Sequence, residues 1–324
     1  PGEMVHHAET SGTHQIGDEP LPVLAHVEPG RDASFRPRGF RVRIATLHSA
    51  DRMARDELLT FARDAEVAGI ESLWLPEVLG RDPFTLAGYL LANTTTLQIA
   101  TGIANVYARD PAAMVAGAST LAEFSDGRFQ LGLGVSNAMI NKARGNPEWQ
   151  PPRAKIESYV EAMRALNLTT PPITYPLFLA AHGPTMLATA RRFADGANTY
   201  LMTLEHTRRA RHSRSLPALN TVMFCLVEPD PNLAREIARK AVAPYIKLEY
   251  YHRVWHTLGF ANRDFESGGS DALIDATVAH GDLSTIRQRV TAQFSAGATR
   301  VVVIPLASQG RPDLDLLTAL ANAP

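Results

Sequence analysis

Glu77 directly follows the apolar run Trp74-Leu75-Pro76. A carboxylate carried by a strand end into a partly buried mouth suits general acid or base work, because burial raises its proton affinity toward neutral pH. The same spacing reads equally as a salt bridge between Glu77 and Arg81. Arg109 precedes Asp110-Pro111 at a helix start, where it suits an anionic ligand or a local ion pair with Asp110. His182-Gly183-Pro184-Thr185 lies between a strand and a helix. Free backbone N–H groups, the positive helix end and the Thr185 hydroxyl converge there on one spot suited to phosphate, with a plain capping turn as the alternative. His48, Asn105, Ser136 and Asn137 add polar groups at other predicted strand ends.

Other chemistries lack their residues. There is no H-E-x-x-H motif and no pair of carboxylates at strand ends, so a zinc hydrolase or glycosidase is not expected. Cys225 is the single cysteine and sits in the apolar run Thr221–Val227, which excludes an intramolecular disulfide and predicts a buried thiol. His6, His7, His14 and His26 have no regular ligand spacing, so no metal site is expected. With 32 Lys+Arg against 33 Asp+Glu, the chain has no basic excess for nucleic acid or an anionic membrane. No window is apolar enough to span a bilayer and no basic-then-apolar signal opens the sequence, so the expected location is cytoplasmic.

The elements that must position these groups alternate. Residues 1–40, rich in Pro and Gly with few large apolar residues, are predicted to be a flexible N-terminal extension, and residues 41–324 one domain. Strands are expected at 42–47, 72–75, 97–103, 128–134, 176–181, 198–202, 219–227 and 300–304. Between them run helical periods. Arg55–Ala68 presents Leu58, Leu59, Ala62, Ala65 and Val67; Pro83 and Pro111 open helices; Leu233 to about His256 forms a long aromatic-rich helical region; and Asp282 and Gly297 bound Leu283–Ala296. Eight strands alternating with helices favour an α/β fold of the (β/α)₈ TIM-barrel type. A nucleotide-binding open sheet would need G-x-G-x-x-G after the first strand, and Thr46–Arg55 contains no glycine.

Three blocks in order then resemble a known family. They are Ala65–Glu77 with Gly80-Arg81-Asp82-Pro83-Phe84, Ala100–Pro111, and Thr120–Gly134. Together they resemble the luciferase-like monooxygenase superfamily. Leu258-Gly259-Phe260, Asp264, Gly268-Gly269-Ser270-Asp271 and Ala279-His280-Gly281-Asp282 are similar to its deazaflavin (coenzyme F420)-dependent oxidoreductase branch. The resemblance implies a barrel with an insertion near strand seven, commonly dimeric, holding a reduced flavin or deazaflavin in its mouth. It implies a non-proline cis peptide at Gly102–Ile103 behind the ring, a phosphate site at His182, Gly183 and Thr185, and cofactor contacts from Asn105, Arg109 and Ser136.

Two positions depart from the family pattern. Glu77 stands where several deazaflavin relatives carry a histidine proton donor, and Asn137 where some carry a carboxylate or histidine. The segment between Leu166 and Pro176 is also short for this branch. The leading expectation is an oxidoreductase moving a hydride between coenzyme F420 and a small organic substrate, with Glu77 as proton donor or acceptor and Asn137 and His48 orienting the reacting group. The alternatives are an FMN-dependent monooxygenase served by a separate reductase, and a cofactor-binding relative without turnover. No motif decodes the substrate, since Met139–Pro152 and Tyr250–Asp264 are loops of variable chemistry.

Overall fold

A run such as Val301-Val302-Val303 has no polar side, so it must be covered on both faces, the condition of a parallel strand in a barrel. The computed structural model describes residues 43–146, 148–214, 216–306 and 312–322. The expected N-terminal extension, 1–40, lies outside the described residues. The eight barrel strands are β1 (Ile44–Leu47), β2 (Ser72–Leu75), β3 (Gln98–Thr101), β4 (Phe129–Gly134), β5 (Leu177–Ala180), β6 (Gly196–Tyr200), β7 (Ala218–Val227) and β8 (Arg300–Pro305). Each pairs in parallel with the next; β8 pairs with both β7 and β1 and closes the ring. Val278–Gly281 adds a short strand beside the far half of β7, from Phe224↔Val278 to Val227↔Gly281.

Strand alternation builds two layers of core. Ala45, Leu47, Trp74, Ala100, Val222 and Val302 form an apolar cluster inside the ring. Their neighbours Ile44, Leu73, Leu75 and Ile99 join the larger cluster under the helices. Helix α1 (Arg55–Val67) buries Leu58, Phe61, Ala62 and Ala65. Phe61 replaces Val67 in the expected face: Val67 lies nine residues from Leu58, on the opposite side of the helix, and is 88% exposed.

Helix starts follow the sequence signals. In α2 (Pro83–Ala92) the Asp82 carboxylate accepts from Phe84 and Thr85 N–H, and in α3 (Pro111–Phe124) Asp110 accepts from Ala113 N–H. Helices α4 (Ala138–Ala143), α5 (Pro152–Arg164), α6 (Pro184–Phe193) and α7 (Leu204–Arg214) complete the run to β7. The aromatic region after β7 is two helices rather than one, α8 (Pro231–Ile246) and α9 (Glu249–Thr257). Val242 and Tyr251, nine residues apart, would face opposite ways on one continuous helix, yet both bury in a single cluster with Ile246 and Trp255. Helices α10 (Asp271–Thr277), α11 (Leu283–Ser295) and α12 (Leu314–Ala321) finish the chain.

Two strands differ from expectation at their ends. The third stops at Thr101 and resumes as Ala104–Asn105 paired to β4, around a cis peptide at Gly102–Ile103, the bond anticipated from the family resemblance. The sixth begins two residues early and ends at Tyr200. Gly196 lies so close to Ala218 that a Cβ would sit 2.4 Å from its carbonyl oxygen, and Leu201 turns out of the strand with φ +56°. Cys225 is fully buried in β7, and burial pushes its thiol up to about 12.

Candidate active site

Chemistry in this architecture gathers at the carboxyl ends of the strands. In β2 Trp74 points into the ring while Leu73 and Leu75 face the helices, so Glu77 emerges on the helix side of the rim. Both of its oxygens are occupied. Oε2 accepts from Arg109 Nη1 (2.9 Å) and from the Asn105 backbone N–H (2.8 Å), and Oε1 accepts from Arg109 Nη2 (2.9 Å) and Arg144 Nη2 (3.3 Å). Arg109 also reaches Asp82 Oδ2 at 2.7 Å and lies 4.6 Å over the Phe84 ring. Asn105 donates its side-chain amide to Asn141 Oδ1 at 2.7 Å, and Asn141 in turn donates to the Val135 carbonyl at 2.8 Å.

Three of the anticipated residues, Glu77, Asn105 and Arg109, therefore converge, and they converge on one another. The sequence offered Arg81 and Asp110 as local partners for Glu77 and Arg109. The cations on Glu77 are instead Arg109 and Arg144, Arg81 reaches Asp51 and the Met53 carbonyl, and Asp110 caps α3. A carboxylate held by a bidentate guanidinium, a second guanidinium and a backbone N–H fixes the 103–109 segment to β2. It differs from the expected free acid facing the mouth.

Asn137 and His48 make separate contacts, each with its own neighbouring helix. Asn137 caps α4 by accepting the Ile140 N–H at 2.9 Å, beside Ser136 at φ +56°. His48 shares the helix-facing side of β1, and its ring packs against Phe61 of α1 with centroids 5.7 Å apart. Burial lowers its proton affinity, so the imidazole is neutral at pH 7.

The mouth itself has an apolar floor and an aromatic wall. Gly102 meets the floor so closely that a Cβ there would lie 3.0 Å from Trp74 Cε3 and 3.1 Å from Leu47 Cδ1. Tyr200, the last residue of β6, packs on this inner cluster, and its hydroxyl oxygen is 2.7 Å from that of Tyr245 on α8. Tyr250 and Tyr251 of α9 continue the wall, 4.8 Å apart between ring centroids. His182, in the loop after β5, lies parallel to Tyr250 (6.1 Å, 2°) and 5.2 Å from Tyr251.

The backbone carbonyl of His182 accepts from His206 Nε2 at 2.7 Å, and its own Nδ1 is buried without a partner among the described residues. Burial first, and His206 second, hold the His182 imidazole down to about 3. Helix α6 starts immediately beyond. Its cap, Gly183, provides no side-chain acceptor and Pro184 has no N–H, so Thr185 and Met186 present the first uncommitted N–H groups of the helix. His182, Gly183 and Thr185 are thus brought together as one corner of the mouth.

The residues that sequence reasoning passed over as site residues are Tyr200, Tyr245, Tyr250, Tyr251 and His206. The last three tyrosines stood in the aromatic-rich helical region, where their spacing announced a helix; that they fold back over the strand ends depends on the break between α8 and α9. Tyr200 was legible only as a residue inside the expected strand 198–202, and its place at the strand's end comes from the structure.

A closed (β/α)₈ ring with polar groups gathered at its strand ends and an aromatic insertion after β7 defines a protein of the TIM-barrel class. Residues 40–300 match the luciferase-like monooxygenase family, and the chain belongs to it as an oxidoreductase. It is 25% identical over 297 residues to the 5,10-methylenetetrahydromethanopterin reductase of Archaeoglobus fulgidus, spanning 76% of this chain and 88% of that protein. An F420-dependent secondary alcohol dehydrogenase, solved with an F420–acetone adduct, shares the fold with a TM-score of 0.68 at 17% identity, covering 86% of this chain and 97% of that one. The oxygenating constituent of 3,6-diketocamphane monooxygenase from Pseudomonas putida, solved with FMN, gives 0.61 at 13% identity, covering 87% and 97%. Among the described residues no helix is long and apolar enough to cross a membrane.

Proposed function

We propose that this chain transfers a hydride between coenzyme F420 and a small uncharged organic substrate, with the deazaflavin ring over the floor formed by Leu47, Trp74 and Gly102. The observation that carries the reading is the corner at His182. An orphaned neutral imidazole nitrogen beside two uncapped helix N–H groups fits a ligand that joins a flat, hydrogen-bonding ring to an anionic phosphate. The cofactor supplies the hydride chemistry; the protein supplies position and electrostatics.

In this reading His182, Gly183 and Thr185 hold the phosphate-bearing side chain, and the Gly102–Ile103 segment backs the ring. Glu77, Asn105 and Arg109 act one layer behind as positioning residues. The Arg109 fork on Glu77 and the Asn105 N–H on the same carboxylate set the course of the chain from Ile103 to Arg109, and with it the height of the backing segment. Ser136 and Asn137 shape the rim through the start of α4. The wall of Tyr200, Tyr245, Tyr250, Tyr251 and a neutral His182 carries no formal charge at pH 7, which selects an uncharged substrate.

The test is a parallel titration of the protein with F420 and with FMN, followed by tryptophan fluorescence, since Trp74 lies directly beneath Gly102. Tight F420 binding that weakens in Thr185→Pro, which removes an N–H from the start of α6, supports the proposal. Preference for FMN redirects it to oxygen-dependent chemistry, and failure of both ligands overturns it.

A further inference from the structure

We infer that the groove between α7 and α11 is a docking site for a partner protein, and that the segment it takes is an extended peptide rich in carboxylates. The groove holds about 530 Å³, with Arg208 of α7 lining one side and Arg287 of α11 the other. Helix α11 buries Ile286, Val290 and Gln293, so the residues it gives to the groove lie on its outward side. None of the residues that form the mouth lines this groove, and the inference stands apart from the cofactor reading.

The α11 side carries a row of uncommitted polar groups. Ser284, Gln288, Thr291 and Ser295 recur at intervals of four, three and four residues, which sets them along one face of the helix. All four are exposed, and no side chain among them has a hydrogen-bond partner among the described residues. Three hydroxyls and an amide, each able to donate and to accept, complement the alternating N–H and C=O groups of a peptide backbone. At a rise of about 1.5 Å per helical residue the row is about 16 Å long. That matches about five residues of extended chain at roughly 3.3 Å each.

The charge of the groove names the side chains of that peptide. Arg287 donates from Nη2 to the neutral Ala319 carbonyl at 3.0 Å and meets no carboxylate among the described residues. Arg208 shares the Glu205 carboxylate with Arg209, so one negative charge there answers two guanidinium groups. Beside them Arg211 packs over Gly297 at the end of α11, where a Cβ would lie 2.4 Å from Arg211 Cγ, and its guanidinium donates to the Leu216 carbonyl. No acidic side chain lines the groove, and Asp282 at the head of α11 is committed to the Thr285 N–H at 2.7 Å. The whole chain carries a net charge of −1, so this positive charge is a local arrangement. Planar guanidinium forks match carboxylates. No aromatic ring lines the groove to stack a base, which favours an acidic peptide over a nucleic acid.

The test is fluorescence anisotropy of a fluorescein-labelled penta-aspartate peptide with the full chain at low salt. Binding is expected, and it is expected to weaken by about tenfold or more in Arg208→Glu and in Arg287→Glu, because each places like charges together. The same charge change at an exposed residue outside the groove, Arg52→Glu, is expected to leave the affinity near its native value. Gln288→Ala combined with Thr291→Val removes polar partners without removing charge and is expected to weaken the peptide by about 2- to 10-fold. Absence of binding overturns the inference, as does an equal loss in Arg52→Glu, which would reduce the effect to overall charge. Displacement of the peptide by tripolyphosphate, with the Gln288 and Thr291 changes without effect, would show a site for any polyanion and refute the peptide class. Displacement by F420 would give the groove to the cofactor and refute the partner.

Discussion

Replacing Glu77 by glutamine separates an ion-pair anchor from an acid–base catalyst. The Glu77 side chain is 3% exposed, with Arg109 at 15% and Arg144 at 22%, so the pairs are shielded from solvent. Removing one partner of a buried pair costs about 3–5 kcal/mol because the other charge is left uncompensated. Glutamine keeps an oxygen for the Asn105 N–H, and Arg109 retains Asp82 at 2.7 Å, which brings the expected loss just below that range, to about 2–3 kcal/mol. For a barrel of this size that corresponds to a Tm lower by roughly 4–12 °C. Thermal unfolding followed by circular dichroism measures it, alongside F420 affinity and turnover. An anchor predicts lost stability and weaker F420 binding as the 103–109 segment loosens. A catalytic acid predicts wild-type stability with turnover down by roughly 10²–10⁴-fold; that second pattern would refute the anchoring role.

Three further outcomes follow from particular residues. His182 is held neutral in the folded protein, so between its ordinary value near 6.5 and about 3 the unfolded chain binds more protons and stability falls as the pH falls; His182→Gln is expected to flatten that slope by up to about 1.4 kcal/mol per pH unit, read by urea unfolding at stepped pH. A Cβ on Gly132 would lie 2.1 Å from the Thr101 carbonyl oxygen, a backbone atom that cannot swing aside, so Gly132→Ala is expected to cost about 1–3 kcal/mol or more, and a variant with the native midpoint would contradict the β3–β4 packing. Cys225, buried in β7 with its thiol pushed up to about 12, is expected to resist a thiol-reactive dye in native buffer and to react fully in denaturant; rapid native labelling would show that the strand is open.

The sequence by itself determined what short-range geometry controls. The eight strands and their order follow from β-branched runs punctuated by turn residues, and the helix starts follow from Asp82-Pro83, Asp110-Pro111 and Asp282. It also carried the burial of Cys225 and the strand–turn–helix corner at His182–Thr185, since both depend on a strand and the turn beside it. Only the tertiary structure decided which groups meet. Glu77 takes Arg109 and Arg144, 32 and 67 residues away, and Tyr200 meets Tyr245 across 45 residues. The way His48 and Glu77 face is likewise set by ring closure, which assigns each strand residue to the inner floor or to the helix layer. Local periodicity specifies the element and its apolar face. The partners of a polar side chain at a strand end are specified by the neighbouring strands that close the barrel, and no local pattern encodes them.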